Sequence, residues 1–379
     1  MDKPPPKRPR IALVVHDCSE GFGQGRYCVE LIRHLAPEFE FTVVSASMDR
    51  QALEGTYWVQ VPAFRRSALS TVFSFRHTVA RLLPAVGCDL VHSQGMTGGK
   101  PDLVTAHVCN PARCEAEGGG SFRGHLFSRL VAPFERAFYS QRSVRGVIAI
   151  SKLVGVEVRR HYGWQGFMPI IHHGTDTTKF RPPVAGEREE LRSQLGFRAE
   201  DWVWLFVGEA DKGLREIVLQ LPEFPTARLM VVSRSDLTCY RGLADRLSVR
   251  SRVTFHGPDS RPERIHRMAD VFVYPSRYDT FALVVTEAMS SGLPVVVGQN
   301  VGAAELVIDG LNGLLCDPCS AESIRSALTR LQADRSNARE IGSAARKTIA
   351  RYTWADCAQA TARVYRELLN GKARPDDGE

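Results

Sequence analysis

Short apolar segments alternate with longer amphipathic ones along nearly the whole chain. They fall at residues 11–16, 27–35, 41–45, 72–83, 90–92, 103–107, around 126–139, 146–150, 152–161 and 169–172. A strand followed by a helical crossover, repeated, makes βαβ units, and such units can only build a parallel sheet covered by helices. Turn formers and prolines break the rhythm at His173-Gly174-Thr175-Asp176 and through Pro182-Pro183. It then resumes at 203–208, in a helix from about Leu214, and at 228–233, 244–247, 253–257, 261–268 and 271–274, ending with a helix over 284–290 and a segment at 294–297. With 379 residues the chain exceeds what one hydrophobic core supports. The expectation is an α/β protein with two consecutive doubly wound, Rossmann-like domains facing each other across a cleft. Residues 1–10 form a disordered tail, 11–180 the N-terminal domain and 181–352 the C-terminal one. Residues 353–379 form a helix returning toward the N-terminal domain and then a tail. No internal repeat of 20 to 50 residues is visible.

No apolar run approaches the roughly 20 residues that a membrane-spanning helix needs. The polar, proline-rich start lacks the three-part pattern of a secretory signal, so a cytoplasmic protein is expected. Nine scattered cysteines argue for reduced thiols rather than a disulfide framework. Cys316 and Cys319 have the spacing of a metal or redox pair, but no second pair accompanies them, and they read as turn and core residues. Residues 1–180 hold 22 Lys and Arg against 15 Asp and Glu, whereas 181–379 hold 27 of each, so the whole net charge of +7 lies in the first half. That excess suits an anionic partner, either a phospholipid surface or a phosphorylated acceptor, and equally a solvated basic face. Aromatics and cations alternate at Phe64-Arg65-Arg66 and at Phe73, Phe75, Arg76 and His77. Peripheral attachment at the inner face of the membrane is one expectation from these segments; nucleic acid is not, because no nucleic-acid module appears.

The segment from Asp270 to Pro294 carries the most chemistry. A strand ends at Tyr274, a loop holds Asp279, and a helix starts near Ala282 with Glu287 about a turn and a half inside. The unpaired N–H groups and dipole of such a helix start favour a phosphate. Carboxylates eight positions apart suit hydroxyls on either side of it, the layout of a sugar–diphosphate–ribose. Asp279-Thr280 capping the helix and Glu287 as an exposed helical charge are the competing structural reading. After the first strand of the second domain comes Gly208, followed by Lys212-Gly213, where a lysine can reach a diphosphate as a point charge; an exposed turn lysine is the alternative. Gly21, Gly23, Gly25 and Arg26 follow the first strand of the chain and can let backbone approach a phosphate or acceptor. Their order does not fit the dinucleotide fingerprint.

These motifs resemble those of retaining glycosyltransferases of family 4. Asp279 and Glu287 are similar to that family's carboxylate-x7-Glu motif and Gly208…Lys212-Gly213 to its phosphate loop. His173-Gly174-Thr175-Asp176…Phe180-Arg181-Pro182 looks like its interdomain segment, and Gly302…Glu305…Asp309-Gly310…Asn312-Gly313 like the loop that follows. The stretch Ser128-Arg-Leu-Val-Ala-Pro-Phe134-Glu135-Arg136 is similar to the lipopolysaccharide core glucosyltransferase branch. The resemblance implies the GT-B fold, with the nucleotide on the second domain and the acceptor mainly on the first. It implies Glu287 on the ribose, Lys212 on the diphosphate, the backbone of Phe281, Ala282 and Leu283 on the distal phosphate, Asp279 on the donor sugar, and His107 beside the anomeric carbon. From its residues alone, His107 reads equally well as a satisfied core histidine. Three positions depart from the pattern. Asp279 replaces the usual glutamate, Glu209 and Asp211 stand where an arginine is usual, so that either the cation comes from elsewhere, Arg234 or Arg26 being the candidates, or phosphate binding is weaker, and Ser233-Arg234-Ser235-Asp236 replaces a glycine-rich turn.

The expected activity is therefore metal-independent, retaining transfer of a hexose-type sugar from a UDP- or GDP-type donor to a cell-envelope glycan or glycolipid, without cofactor or metal. The competing readings are a catalytically weak nucleotide-sugar-binding protein and a GT-B sugar-nucleotide epimerase.

Overall fold

The computed structural model describes residues 8–21, 23–64, 66–116 and 122–371, so the expected tail at residues 1–7 lies outside the described residues. The chain divides into two compact units, 1–174 with 354–379, and 175–353.

The first unit contains β1 (Arg10–Val14), β2 (Asp17–Cys18), α1 (Gly23–Leu35), β3 (Glu40–Ser45), β4 (Ser47–Met48), β5 (Tyr57–Gln60) and α2 (Ala68–Leu82). These are followed by β6 (Leu90–Gln94), β7 (Leu103–Ala106), α3 (Asn110–Ala116), α4 (Phe122–Tyr139), β8 (Gly146–Ala149) and α5 (Lys152–Tyr162). Six strands form a sheet of order β5-β3-β1-β6-β7-β8, parallel throughout, while β2 and β4 pair separately. The central strands are apolar without alternation because helices cover both faces, as in the buried run Ile11 to Val14 of β1. Local chemistry sets the helix ends. Ser67 and Ser70 make a reciprocal capping box at α2, and Ser151 caps α5, whose other end stops at Gly163 in the left-handed region.

The second unit runs α6 (Glu187–Leu195), β9 (Trp202–Val207), α7 (Leu214–Gln220), β10 (Ala227–Val232), α8 (Thr238–Arg246), β11 (Val253–His256), α9 (Pro262–Met268) and β12 (Val271–Tyr274). It continues with α10 (Leu283–Ser290), β13 (Val295–Gly298), β14 (Leu314–Cys316), α11 (Ala321–Ala333) and α12 (Arg335–Ile349). Its sheet is β11-β10-β9-β12-β13-β14, again all parallel. Asp270, just ahead of β12, accepts from Val203 N at 2.7 Å and from the buried Arg192 at 2.6 Å, which ties α6 to the start of two neighbouring strands.

In chain order both sheets read 3-2-1-4-5-6, the doubly wound Rossmann-like arrangement of two α/β domains. Three details differ from the sequence reading. β1 already begins at Arg10, inside the expected tail. The four-residue β5 escapes the pattern because it is an edge strand with no buried residue on either face. The units divide at Gly174, ahead of the proline cluster. Thr175 N donates to Tyr352 O at 2.9 Å, its Oγ1 bonds Thr286 at 2.8 Å, and Phe180 is buried with its carbonyl held by Ser290 and Arg346. The prolines mark where the chain bends, but these partners decide which core residues 175–180 join. The last helix, α13 (Trp354–Leu369), belongs to the first unit. It packs along α1, with Tyr27 OH and Thr361 Oγ1 3.1 Å apart.

Candidate active site

In a doubly wound sheet ligands bind outside the carboxyl ends of the strands where the order reverses. In the second unit that switch point lies between β9 and β12. The loops leaving these two strands are the ones carrying Gly208–Gly213 and Asp279, and they interlock. Lys212 Nζ donates to Tyr278 O at 3.0 Å. Gly213 sits at φ 100°, and a Cβ there would come within 2.5 Å of the Pro275 carbonyl, so only glycine allows this approach. Lys212, Gly208 and the 278–283 segment therefore share one location.

Asp279 is held on both oxygens: Oδ2 accepts from Tyr274 OH at 2.9 Å and Oδ1 from Phe281 N at 3.1 Å. Tyr274 ends β12, stacked between Phe206 and Phe272. Burial, with the Asp279 charge adding to it, pushes the phenol well above its ordinary range, so it stays protonated and donates. The loop is stitched down by Gly302 N to Asp279 O and Ala303 N to Phe281 O, both 2.8 Å. The capping alternative for Asp279 is not realised: the residue ahead of α10 is Ala282, no side chain caps the helix, and Asp279 holds its own loop instead. Phe281 is buried and offers backbone only, while Ala282 and Leu283 are partly open at the head of α10, where the first N–H groups of a helix lack intrahelical partners. Ala282 adopts φ 67°, a left-handed conformation that costs a non-glycine residue about 1–2 kcal/mol. Glu287 lies in the middle of α10 and is 8% exposed, which excludes the reading of an exposed helical charge.

Arg234 is on the exposed loop after β10. Its neighbour Ser235 donates to Glu209 at 2.6 Å and accepts from Ala210 N at 3.0 Å, so this loop binds the acidic turn of the first loop and holds Glu209 in place.

In the first unit, His107 follows β7 and is buried. Its Nε2 lies 2.9 Å from Gln94 Oε1, its ring stacks on His173 at 5.3 Å, and Tyr27 meets it edge-on. Burial first, then the neighbouring His173 and His92, hold His107 well below the usual imidazole range. The Gln94 amide can accept a hydrogen bond from Nε2 through its oxygen or, turned over, donate to it, so this contact accommodates either neutral tautomer. Gln94 is a functional candidate that sequence reasoning missed. It is 2% exposed, and its Nε2 has no partner among the described residues. Its position at the carboxyl end of β6, beside the first sheet's switch point, was the available signal. Gly25 lies inside α1, where a Cβ would collide with the Asp17 and Ser19 backbone; its requirement is helix packing. Gly23 starts α1 with open space around it, and Arg26 lies over the Trp354 ring at 5.7 Å. Of the aromatic–cation segments, Phe75 belongs to the core and Phe64 is 68% exposed, while Arg65 lies outside the described residues. Cys316 ends β14 with burial pushing its thiol up to about 12, and Cys319 stands exposed in the turn beyond.

Residues 23–179 match the family described as Glycosyltransferase Family 4, and residues 187–348 match Glycosyl transferases group 1. An uncharacterized glycosyltransferase of Methanocaldococcus jannaschii is 29% identical over 300 residues, covering 76% of this chain and 74% of its own length. A D-inositol 3-phosphate glycosyltransferase of Mycobacterium marinum is 33% identical over 214 residues, 53% of this chain and 45% of that protein, so the match spans about half the relative's length. Among solved structures, WaaG, a glycosyltransferase involved in lipopolysaccharide biosynthesis, superposes with a TM-score of 0.82 at 20% identity, covering 95% of this chain and all of that one. Anabaena HepE in complex with UDP and glucose does so with 0.78 at 18% identity, covering 95% and 100%. These likenesses establish the GT-B fold.

Proposed function

We propose that this chain, a GT-B glycosyltransferase built from a family 4 domain followed by a group 1 domain, transfers a hexose-type sugar with retention from a UDP- or GDP-type donor to a cell-envelope glycan or glycolipid. The observation that carries the reading is the meeting of Lys212 and the Asp279 loop at the second sheet's switch point, beside the open head of α10. A diphosphate there gains a point charge from Lys212 and backbone donors from Ala282 and Leu283, while Glu287 on α10 takes the ribose and Asp279 the sugar. The bound nucleotide in the HepE structure supports the donor class. Fixed donors stabilise the departing diphosphate without reorganising, so no metal is needed for that step. His107, neutral at pH 7, serves as a hydrogen-bonding group beside the reacting carbon and carries no charge. Arg26, with Gly23 at the start of α1, contributes to acceptor or phosphate binding.

The test is a thermal-shift screen of nucleotide sugars followed by transfer assays with EDTA present. One donor class should raise the midpoint, since a ligand bound only by the folded state stabilises it by mass action. Turnover should survive chelation. Loss of activity with EDTA, restored by manganese or magnesium, would show that the carboxylates are metal ligands.

The first half's charge excess and the exposed Phe64 support attachment of the first unit to the anionic inner face of the membrane, in keeping with a cytoplasmic enzyme that uses a lipid-linked acceptor. No described helix is long and apolar enough to cross a membrane. Sedimentation with anionic liposomes should be strong at low salt and fade as salt screens the charges. Absence of binding at low salt would overturn the attachment.

A further inference from the structure

The first unit carries a second concavity that the sugar-transfer reading does not use. It is a groove of about 720 Å³ between α2 and α4, within the range of small-molecule sites. Residues Gly87, Cys88 and Val91 put it at the amino-terminal end of β6, opposite the end that bears Gln94. Leu83, Val91 and Ala137 give it apolar walls, and Arg76, Lys100 and Gln141 its polar ones.

Its charges are one-sided. Among the described residues no acid lines it, and the two acids nearby in sequence are engaged elsewhere: Asp89 accepts from Arg10 N at 2.8 Å, and Asp102 pairs with Arg145 at 3.1 Å and takes Val91 N at 2.9 Å. The Lys100 side chain makes no hydrogen bond or ion pair among the described residues, and the Arg76 guanidinium lies over the Phe134 ring, 5.6 Å away. Phe134 in turn meets Phe73 edge-on at 4.9 Å. It also ends an exposed apolar row on α4, with Leu126, Leu130 and Phe134 at 48, 45 and 42% exposure and helical i, i+4, i+8 spacing.

We propose that this groove binds an anionic phospholipid drawn from a bilayer, its phosphate between Arg76 and Lys100 and its chain along Leu83, Val91 and Ala137. A free phosphate would match the cations and leave the walls wet. An uncharged chain would cover the walls and leave two cations without a counter-charge. A phosphate joined to an acyl chain does both, and the row on α4 continues the apolar surface outward to where a bilayer would supply it. The choice of a membrane source rests on the attachment proposed above, but the groove is tested without any bilayer.

The full chain is titrated with dihexanoylphosphatidic acid below its micelle concentration, with inorganic phosphate and uncharged dihexanoylglycerol as parallel arms. Saturable one-to-one binding of the anionic lipid is expected, tenfold or more tighter than either comparison ligand. Lys100→Glu should weaken it at least tenfold through loss and reversal of a charge-assisted contact. Ala137→Trp, at an exposed helical position, should do the same by filling the groove. Both variants should keep the wild-type thermal midpoint and nucleotide diphosphate affinity, which separates failure of the groove from failure of the donor site. Equal affinity for inorganic phosphate, equal affinity for the uncharged lipid, or anionic-lipid binding unchanged in both variants would each overturn the proposal. Liposome attachment combined with no binding of the monomeric lipid would do so as well.

Discussion

Glu287→Gln is expected to weaken binding of free nucleotide diphosphate about tenfold or more while leaving the fold intact. A ribose held by a buried carboxylate gains charge-assisted hydrogen bonds worth about 1.5–3 kcal/mol, and an amide of the same shape keeps the packing but not the charge. The isosteric change matters because Glu287 is buried in the middle of α10, where alanine would also open a cavity. Asp279 should fail differently. Its carboxylate already holds Tyr274 OH and Phe281 N, so alanine would release the loop as well as the sugar. Asp279→Asn can still accept from Phe281 N and is the cleaner test. It should lower sugar transfer at least tenfold through misorientation of the donor sugar, with nucleotide diphosphate affinity nearly unchanged. Calorimetric titration of both variants, paired with initial rates, reads the contrast. Equal loss of nucleotide affinity in the two, or normal transfer in both, would return Asp279 to a purely loop-holding role and remove the donor from this location.

On acidification from pH 7 to pH 5, His92 and His173 together should withdraw about 4 kcal/mol of stability from the first unit. Glu30 and Glu135 oppose this, because burial holds their carboxyls above the usual range and they favour the fold as pH falls. Both histidines lie at about 3 in the folded protein against an ordinary value of 6.5, burial being the main cause for each, and for His173 the nearby Arg26 charge adds to it. The unfolded chain binds protons below 6.5 that the folded one refuses until about 3. Stability is therefore full above pH 6.5 and lost as pH falls toward 3, about 2 kcal/mol per group by pH 5. His107 shifts in the same direction and adds to the loss. His92 is locked on both nitrogens, to Tyr365 OH and Thr105 Oγ1 at 2.7 Å each, so charging it also breaks an acceptor bond. In the second unit His266, at about 4, should contribute a further 2 kcal/mol. Glu187, at about 2, acts in a lower window: its contribution is present above its ordinary 4.5 and is lost as pH falls beneath that. Amide exchange on peptides from β6, β7 and α13, corrected for intrinsic rates, should show protection dropping between the two pH values, by up to about a thousandfold. Equal protection would mean that these imidazoles carry charge in the folded state.

The two-domain α/β architecture was legible because strand and crossover periods are local, and a sheet covered on both faces writes itself as apolar runs such as 202–207. The loops after β9 and β12 were legible for the same reason: turn chemistry following an apolar run marks a strand end, and in a parallel sheet strand ends are where ligands go. What escaped depends on partners distant in sequence. The unit boundary lies at Gly174 because Thr175 pairs with Tyr352 and Arg346 grips the Thr177 and Phe180 carbonyls, bonds that no composition shift records. The Gln94–His107 pair joins the ends of two neighbouring strands of the first sheet, while the Tyr274–Asp279 bond and the left-handed Ala282 are local features of one loop whose conformation its packing fixes. The sequence by itself therefore determined the order of the elements, the parallel class of both sheets and which loops leave the strands at the second sheet's switch point, since each follows from periodicity and turn residues within a few positions. Only the tertiary structure decided that both oxygens of Asp279 are already engaged, that His107 faces Gln94, and that two cations line an apolar groove without a counter-charge among the described residues. Those depend on burial and on hydrogen-bond partners that only the folded chain brings within reach.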